Sequence, residues 1–555
     1  MEVLLPAPTH FGSSATLTAT NVSRALGDRV VLSSISVTID SETRLGVIGP
    51  NGVGKSSLLR LLAKLDLPDS GVVEISPRTA AVGYLAQELK RSDTEDVRSY
   101  LDRTTGVAAA ETALQSAATA LSLDERGAID EYADALEQWQ AIGAADLDAR
   151  IGAVVEELGL PERVLKLSMS ALSGGQAARI ALAAILLSRF DVLLLDEPTN
   201  DLDFDGLARL EDFVTGYQGG LVVVSHDRAF LDHSVTSVLE LDEHEHTAHL
   251  YRGGWSSFLD ERATDRRHAE ERFSNYQSER HTLLDRARRE REWATQGVAR
   301  QKRQPRDNDK AQRDFHLNRT EKLASRARRT DNAIARLESV QKPWEGWQLR
   351  FTINEAPRSG AVVFRLEHAV VERGSFRLGP IDLEIGWGER VALLGPNGSG
   401  KTTLLNALLG RLALTSGERW MGPSVVVGEL GQDRRAFSAE TTVLKSFLTS
   451  TNLDTATARS TLAKFGLGAD QVSRPASTLS PGERTRAELA AFQARGVNTL
   501  VLDEPTNHLD LPAIEQLEEG LAGYDGTLLL VTHDRRLLEV VDVSRTIDLT
   551  NGASP

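Results

Sequence analysis

The 555-residue sequence predicts an α/β fold in which two tandem domains are joined by a long α-helical hairpin linker. Three observations predict this arrangement. One set of motifs occurs twice, short apolar runs have the form of buried strands, and a central stretch has the spacing of paired helices. The length suits two large domains or three to four of about 150 residues. With 41% hydrophobic and 26% charged residues, the composition is that of a globular protein.

A long internal repeat defines the two domains. GPNGVGKSS at 49–57 returns as GPNGSGKTT at 395–403, and LLLDEPTNDLD at 193–203 returns as LVLDEPTNHLD at 500–510. The offset is 346 residues at the Gly-rich loop but 307 at the second motif and at His226/His533. The first half therefore has 39 extra residues between its loop and residue 173. A helical arm at about 92–160, rich in Ala, Leu, Glu and Asp, is expected to hold them.

Short apolar runs, bounded by polar residues or Gly, predict buried parallel strands in both halves. Examples are the runs at 44–48, 221–224 and 528–531. The predicted domains are a first α/β domain at 15–255, a basic helical hairpin at 256–345 and a second α/β domain at 346–555.

The stretch between the repeats predicts two long helices packed along one narrow seam. Pro305 marks the turn between them, because proline ends a helix. A first helix of about 40 residues would be about 60 Å long. The apolar residues of both helices are three, four or seven apart, at Phe273, Tyr276, Leu283 and Ala287 before the turn and at Leu323, Ala327, Ile334 and Leu337 after it.

Charge is segregated along the chain. The net charge is −16, but residues 280–329 contain 16 Lys and Arg against 7 Asp and Glu. The hairpin as a whole has a net charge of +6, and the rest of the chain −22. A solvated helix face with paired charges would explain a basic stretch. A protruding basic hairpin with Trp293, Phe315 and His316 near its tip fits an RNA partner better.

Several classes of site are excluded by composition. The absence of cysteine excludes disulfides, thiolate metal sites and cysteine nucleophiles, and it suits a cytoplasmic protein. The N-terminus has no basic region of a signal peptide. The longest apolar run, 180–187, is far shorter than the roughly 20 residues of a membrane span.

Both Gly-rich loops have the GxxxxGK[ST] pattern, whose backbone N–H groups surround phosphates. A chance Gly-rich turn does not explain two copies with the same downstream motifs. We assign Lys55 and Lys401 to phosphate, and Ser56 and Thr402 to Mg²⁺. The predicted nucleotide-binding residues are Gly49, Asn51, Gly52, Gly54, Lys55, Ser56 and Ser57 in the first loop and Gly395, Asn397, Gly398, Gly400, Lys401, Thr402 and Thr403 in the second.

Each repeat also has an apolar strand that ends in Asp-Glu. The first carboxylate, Asp196 or Asp503, can hold Mg²⁺. The second, Glu197 or Glu504, can act as the general base that activates water. Helix capping is the alternative explanation, but it does not account for a repeated strand-end Asp-Glu-Pro-Thr-Asn.

Other polar residues recur between and after these motifs. Gln87 and Gln432 each follow a strand-like run, and we expect them to reach the nucleotide and its metal. His226 and His533 follow the next apolar strand, where a γ-phosphate contact is predicted. A solitary Gln is usually a surface residue and a solitary His is usually structural; repetition at equivalent places favours function.

A third recurring motif precedes a helix in each half. Ser173 and Ser480 can cap these helices and leave backbone N–H groups for an anion. The predicted contacts are Ser173, Gly174, Gly175 and Gln176 in the first half and Ser480, Gly482 and Glu483 in the second.

In this order and in two copies, these motifs resemble the ATP-binding cassette superfamily. The absence of a membrane segment, the Arg-rich linker and Glu-Pro-Thr-Asn-His-Leu-Asp resemble its ABC-F branch. The resemblance implies two ATP molecules between head-to-tail cassettes, so that Lys55 shares a site with Ser480 and Lys401 with Ser173. It also implies that Asp203 and Asp510 lie across the interface.

Two departures from the family pattern affect the sites. The signature motif reads Leu-Ser-Gly-Gly-Gln at 172–176, and its second copy reads Leu-Ser-Pro-Gly-Glu at 479–483. Pro481 and Glu483 thus replace a Gly and the Gln. A carboxylate near a triphosphate fits only if it faces away or pairs with Arg484 or Arg486. Leu26 and Arg373 stand near the positions where the family stacks an aromatic on adenine. The first departure suggests that the two sites hydrolyse ATP unequally. The second puts tight base selectivity in question, although Arg373 can still stack on a base.

The resemblance also implies a partner. ABC-F proteins bind the ribosomal E site and direct the linker towards the P-site tRNA and the peptidyl-transferase centre. The expected partner is therefore the 70S ribosome, through 23S rRNA and P-site tRNA, with no membrane or DNA and with the chain as a monomer. The linker tip is predicted at about 299–315, with RNA contacts from Arg300, Lys302, Arg303, Arg306, Lys310 and Arg313.

Two functions fit this reading. The first is ATP-dependent protection of the ribosome from antibiotics of the macrolide, lincosamide, streptogramin or pleuromutilin type. The second signature, the Asp-Asn-Asp-Lys at 307–310 and the Arg-rich, Lys-poor composition resemble actinobacterial resistance members. The second is a housekeeping translation factor. An exporter ATPase subunit would have a short linker, and a DNA-repair ATPase would carry zinc motifs or very long coiled coils.

Overall fold

The computed structural model describes residues 15–303 and 360–549, apart from gaps at 28, 79, 87–93, 244, 375, 432–436, 438–439 and 508. Only the backbone is described at 266, 269, 290–303 and 481. Contacts divide the chain into two units. One holds both motif repeats, and the other begins at Phe258. The domain boundaries predicted from the sequence remain predictions.

The first repeat combines a mainly parallel sheet with a smaller antiparallel one. Its elements in chain order are β1 (Thr16–Leu26), β2 (Arg29–Ile39), β3 (Arg44–Ile48), α1 (Lys55–Leu62), β4 (Ser70–Ser76), β5 (Val82–Leu85), α2 (Val97–Thr104), α3 (Val107–Ser122), α4 (Ala128–Ala141), α5 (Leu147–Glu157), α6 (Gly174–Leu187), β6 (Val192–Asp196), α7 (Phe204–Gly216), β7 (Gly220–Val224), α8 (Arg228–Ser234), β8 (Ser237–Leu241) and β9 (Ala248–Arg252). The large sheet has the order β5-β6-β7-β3-β8-β9, with only β9 antiparallel to its neighbour. The small sheet has the order β2-β1-β4.

The central strand β6 shows why the chain folds this way. All five of its residues are buried. Leu193 and Leu195 pack with the helices on one face, and Val192 and Leu194 pack with α1 and the antiparallel sheet on the other. Because successive side chains point to opposite faces, a strand covered on both sides must be apolar throughout. The apolar run ends at the sheet edge, where the polar site residues begin.

The second repeat has the same architecture. Its elements are β10 (Val362–Arg373), β11 (Phe376–Gly386), β12 (Arg390–Leu394), α10 (Lys401–Leu408), β13 (Ser416–Met421), β14 (Val427–Leu430), α11 (Val443–Ser450), α12 (Thr455–Lys464), α13 (Ala469–Ser473), α14 (Pro481–Arg495), β15 (Thr499–Asp503), α15 (Leu511–Ala522), β16 (Thr527–Val531), α16 (Arg535–Val540) and β17 (Arg545–Asp548). The parallel sheet has the order β14-β15-β16-β12-β17, and the antiparallel sheet β11-β10-β13.

The repeats differ mainly in their helical arms. In the first repeat, α2 to α5 lie within the stretch predicted as a helical arm. Helices α3 and α4 pack against each other. Among the described residues of the second repeat, the α-helices between β14 and α14 are α11 to α13, which have 5 to 10 residues each. The α3–α4 pair therefore supplies most of the extra length of the first half.

A single long helix, α9 (Trp255–Arg303), follows the first repeat. Its 49 residues exceed the predicted 40 and correspond to about 74 Å. The seam residues Phe273, Tyr276 and Leu283 are half-buried, and Ala287 is 3% exposed. Pro305 and the predicted return helix lie outside the described residues. Among the helices that are described, none is long and apolar enough to span a membrane.

Candidate active site

Each Gly-rich loop joins a central strand to a helix, β3 to α1 and β12 to α10. Gly49, Gly52 and Gly54 all have positive φ angles, as do Gly395, Gly398 and Gly400. A Cβ on Gly54 would lie 2.5 Å from Val31 Cγ1, so this position requires glycine. The loop thus presents backbone N–H groups at the start of a helix, where anions are favoured.

The loop lysines are held against their own loops. Lys55 Nζ donates to the carbonyl of Gly49 at 2.7 Å and lies 2.9 Å from His226 Nε2. Burial lowers the pKa of Lys55, although Glu197 and Asp510 act in the opposite sense. In the second repeat Lys401 Nζ lies 2.6 Å from Gly395 O and 3.1 Å from His533 Nε2.

The strand-end aspartates accept hydrogen bonds from hydroxyl groups. Ser56 and Tyr84 both donate to Asp196, with the Tyr84 hydroxyl 3.1 Å from Oδ2. Thr402 Oγ1 donates to Asp503 at 3.0 Å. Burial raises the pKa of Asp196, and these hydrogen bonds oppose the shift. Asp196 Oδ1 is buried and has no hydrogen-bond partner within the described chain, so it is free to take an added ligand.

The next residue, Glu197, is held in an unusual backbone conformation. Its φ is +53°, and its N–H donates to Val224 O of the neighbouring strand at 2.9 Å. A positive φ at a residue other than glycine costs about 1–3 kcal/mol and is concentrated at functional sites. The conformation brings Glu197 Oε1 to 3.2 Å from His226 Nε2. Glu504 repeats it with φ +49° and a distance of 3.5 Å to His533.

Burial sets the ionisation of these groups. It lowers the pKa of His226 well below its usual value, with a further lowering by Lys55, and it lowers that of His533 to about 4. Both imidazoles are therefore neutral at pH 7. Burial raises the pKa of Glu197 to about 7 and that of Glu504 to about 8. A carboxylate with a raised pKa is a stronger base than an ordinary one.

These pKa values predict a pH-dependent ATP hydrolysis rate that differs between the sites. A protonated carboxyl cannot accept a proton, so activity is lost as the pH falls through the raised pKa. The dependence of kcat/KM on pH reports the ionisation of groups in the free enzyme. In Glu504→Gln, where Glu197 is the remaining base, kcat/KM should fall on the acid side at a pH of about 7. In Glu197→Gln it should fall at a pH of about 8. If both variants lost activity at the same pH, in the usual pKa range of carboxyl groups, the assignment of the two bases would be contradicted.

The repeats contact each other through the aspartate that follows the Asp-Glu strand. Asp203 accepts from Gly206 N at the start of α7 through one oxygen. Its other oxygen accepts from the backbone of Asn397 in the opposite loop at 2.9 Å. Asp510 does the same, capping α15 at Ala513 and accepting from Asn51 N at 3.0 Å. Each aspartate thus caps a helix of its own repeat and accepts a hydrogen bond from the Gly-rich loop of the other.

Both signature serines cap their helices by the same device. Ser173 Oγ accepts from Gln176 N, and Gln176 Oε1 accepts from Ser173 N at 3.0 Å. Glu483 does the same at Ser480, with its Oε2 2.9 Å from the serine N–H. This reciprocal capping box needs only an acceptor, so glutamate substitutes for glutamine. Glu483 is therefore accommodated by the cap, while its charge acts on Arg486.

Two cavities lie at the interface. The larger, about 920 Å³, takes in Lys401, Glu504 and the signature residues Gly174 and Gly175. The smaller, about 450 Å³, is lined by residues that include Lys55 and Glu197. Among the described residues lining it, the second repeat contributes Thr506 and Leu509, and Ser480 is not one of them.

The sequence reasoning missed the residues opposite Leu26 and Arg373. A hairpin turn pairs Leu26 with Arg29 and Arg373 with Phe376. All four line the cavities, Leu26 and Arg29 the smaller and Arg373 and Phe376 the larger. Each site thus has one arginine and one apolar residue. The apolar residue comes first in the first site, and the arginine comes first in the second. The two-residue turn was the signal, because it places the partner three positions along the chain.

Some predicted residues cannot be placed. Gln87 and Gln432 lie outside the described residues. Of the predicted RNA contacts, the backbones of Arg300, Lys302 and Arg303 belong to α9, and Arg306, Lys310 and Arg313 lie beyond the described chain.

Comparison with known proteins agrees with this geometry. The ABC transporter family model matches residues 32–200 and 378–507. The Tylosin resistance ATP-binding protein TlrC of Streptomyces fradiae is 37% identical over 94% of this chain and 95% of its own length. The chain belongs to the ABC-F branch of the ATP-binding cassette family.

Other relatives span translation and resistance. The Energy-dependent translational throttle protein EttA of Mycobacterium tuberculosis is 32% identical over 94% of this chain and 89% of its own. The Ribosome protection protein VmlR of Bacillus subtilis is 29% identical over 97% and 87%.

A solved structure supports the fold. The archaeal ribosome recycling factor aABCE1, in complex with stalk protein aP1, gives a TM-score of 0.56 at 20% identity, covering 95% of this chain and 87% of the other. The predicted fold, two cassettes with a helical region between them, is confirmed. As a member of this family the ABC-F chain is an ATPase whose cassettes bind ATP.

Proposed function

We propose that this ABC-F ATPase protects the ribosome from antibiotics that bind near the peptidyl-transferase centre or the exit tunnel. The observation that carries the proposal is the similarity to the tylosin resistance protein, which extends over 94% of this chain and leaves no large unmatched part. The name of VmlR, a ribosome protection protein, points the same way. In this proposal the protein acts in the cytoplasm as a monomer, with its two cassettes paired inside one chain.

Nucleotide binding starts from the loops. The N–H groups of each loop and the N-terminus of α1 or α10 would surround the β- and γ-phosphates. Lys55 and Lys401, now donating to loop carbonyls, would turn to the phosphates and exchange neutral acceptors for charged ones. Arg29 and Phe376 flank the loops, and they are placed to cover the base.

The residues fit a Mg²⁺ ion carried with ATP. Ser56 and Asp196 are hydrogen-bonded, as are Thr402 and Asp503, and Asp196 Oδ1 is buried without a partner among the described residues. Mg²⁺ typically takes one or two protein oxygens and completes its shell with phosphate and water. The absence of a cluster of three acidic or imidazole ligands in the described chain suits that mode. When bound, the ion would neutralise phosphate charge.

Hydrolysis would follow from the carboxylate and histidine pair of each site. Glu197 and Glu504 take a proton from the attacking water, helped by their raised pKa. The neutral imidazoles of His226 and His533 orient that glutamate and contact the γ-phosphate. ATP favours the closed pair because its γ-phosphate contacts both repeats only when they meet, and its loss permits opening.

In the proposed cycle, the closed protein enters the E site and the hairpin tip displaces the end of the P-site tRNA, so that the drug leaves. Phosphates of tRNA and rRNA would pair with the basic linker residues Arg300, Lys302, Arg303, Arg306, Lys310 and Arg313. Hydrolysis then releases the protein.

A housekeeping role is the second candidate, because EttA, a translational throttle protein, matches over 94% of this chain. Expression of the chain in a drug-sensitive host discriminates between the two. Protection predicts a rise of fourfold or more in the inhibitory concentration of at least one macrolide, lincosamide, streptogramin or pleuromutilin. Unchanged values for all four classes would favour the housekeeping role.

A further inference from the structure

Two ion pairs link the repeats away from the phosphates. Arg228, two residues after His226, pairs with Glu518 on α15 of the second repeat. At the equivalent place Arg535, two residues after His533, pairs with Glu211 on α7 of the first repeat at 3.1 Å. Both pairs are therefore related by the internal repeat, with the same offset of 307 residues as the catalytic motifs.

Each ion pair is the second of two contacts that attach one helix to the opposite repeat. Helix α15 begins at Asp510, which accepts from Asn51 in the first loop. Eight residues later, about 12 Å along the helix, Glu518 meets Arg228 beside the first histidine. Both attachments belong to the first nucleotide site. Helix α7 is attached to the second site in the same way, through Asp203 and Glu211.

The two pairs differ in exposure. The side chains of Arg228 and Glu518 are 6% and 8% exposed, whereas those of Arg535 and Glu211 are 38% and 19% exposed. Removing one partner of a buried pair leaves an uncompensated charge, which is strongly unfavourable. An exposed pair is screened by water and contributes little. Breaking the first pair should therefore weaken the attachment of its helix much more than breaking the second.

Charges between these pairs oppose closure. Burial raises the pKa of Asp227 to about 6, and repulsion from Asp534 of the other repeat adds to the shift. Each aspartate caps its own helix, Asp227 at Phe230 and Asp534 at Leu537. Arg535 acts against this repulsion and lowers the pKa of Asp227.

We propose that the Arg228–Glu518 pair is a positioning device that holds the first nucleotide site closed, so that the second site opens and exchanges nucleotide first. The inference rests on the ATPase and not on ribosome protection. Arg228 would act through α15 and Asp510 on the first loop, since it lines neither of the two cavities.

Nucleotide release from the purified protein, without ribosomes, tests the proposal. The Glu197→Gln/Glu504→Gln protein is loaded with the fluorescent analogue mant-ATP and chased with ATP. Release should have two phases, which Lys55→Ala and Lys401→Ala assign to the sites. Adding Arg228→Met should accelerate the slower, first-site phase by about tenfold or more. Adding Arg535→Met, the matched control, should accelerate only the faster phase, by about fivefold or less.

Two further variants separate positioning from folding. The exchange Arg228→Glu/Glu518→Arg restores the pair and should return the slower phase to within about threefold of its original rate. If Arg228→Met does not fold, Glu518→Gln takes its place in the experiment. It keeps the shape of the side chain and should accelerate the same phase. A lower Tm of the nucleotide-free variants with unchanged release rates would overturn the proposal. So would equal acceleration of both phases, or a single phase in the parent protein.

Discussion

Replacing both candidate bases, Glu197→Gln with Glu504→Gln, should lower the ATP hydrolysis rate by about 10²–10⁴-fold, the usual contribution of a general base. ATP binding should persist, because glutamine keeps the shape of the side chain and the loops are untouched. The closed state should then outlive normal turnover. With ATP the variant should stay on 70S ribosomes during sedimentation and stop translation in a cell-free system.

The control for this variant is a pair of exposed glutamates on the two antiparallel sheets, Glu74→Gln on β4 with Glu418→Gln on β13. It changes charge equally and should leave hydrolysis and release within about twofold of the native protein, since surface substitutions have small effects. Rapid dissociation of the Glu197→Gln/Glu504→Gln protein in ATP would contradict the proposal that hydrolysis drives release.

Reversing four linker charges, with Lys302, Arg303, Arg306 and Lys310 each replaced by Glu, should abolish cosedimentation with 70S ribosomes at moderate salt. Each lost phosphate contact lowers the salt slope of binding by about one. The ATPase rate without ribosomes should be unchanged, because these residues lie far along the sequence from both phosphate loops. The measurement is binding across a salt series together with the basal hydrolysis rate.

The matched control reverses the same number of charges on the first cassette. Lys64, Arg78, Arg163 and Lys166 are exposed and belong to no described ion pair. Their replacement by Glu gives the same net charge and should cause a much smaller loss of binding. Equal losses in the two variants would mean that net charge, and not the linker, governs attachment. Survival of binding in the linker variant would exclude the linker contacts.

The sequence was most informative where the chemistry needs particular residues. The Gly-rich loops, the Asp-Glu strand ends and Asp203 and Asp510 were predicted, because a strand that turns polar at a sheet edge is visible in the residues. The long helix was predicted from its seam, at Phe273, Tyr276, Leu283 and Ala287. The predicted site roles themselves still await the experiments above.

What the sequence hid depends on contacts between distant segments. Arg29 and Phe376 reach the cavities only because a tight turn pairs them with Leu26 and Arg373. Arg228 and Glu518 are 290 residues apart, so their pairing is not visible in the sequence, although Arg228 ends the repeated His-Asp-Arg motif. Glu483 seemed incompatible with a phosphate site until the capping box gave it a structural partner. In each case a contact formed by the fold, and not the local sequence, determines where the side chain lies.

The division of charge gives the account its central claim. We propose that the acidic pair of cassettes binds ATP and that the basic linker engages RNA so that a bound drug leaves. The most direct measurement is the release of a radiolabelled macrolide from 70S ribosomes that carry P-site tRNA, followed by filter binding. Native protein with ATP should accelerate release at least tenfold, and the four-charge linker variant should not. Release at the spontaneous rate with native protein and ATP, for each of the four drug classes, would contradict the claim.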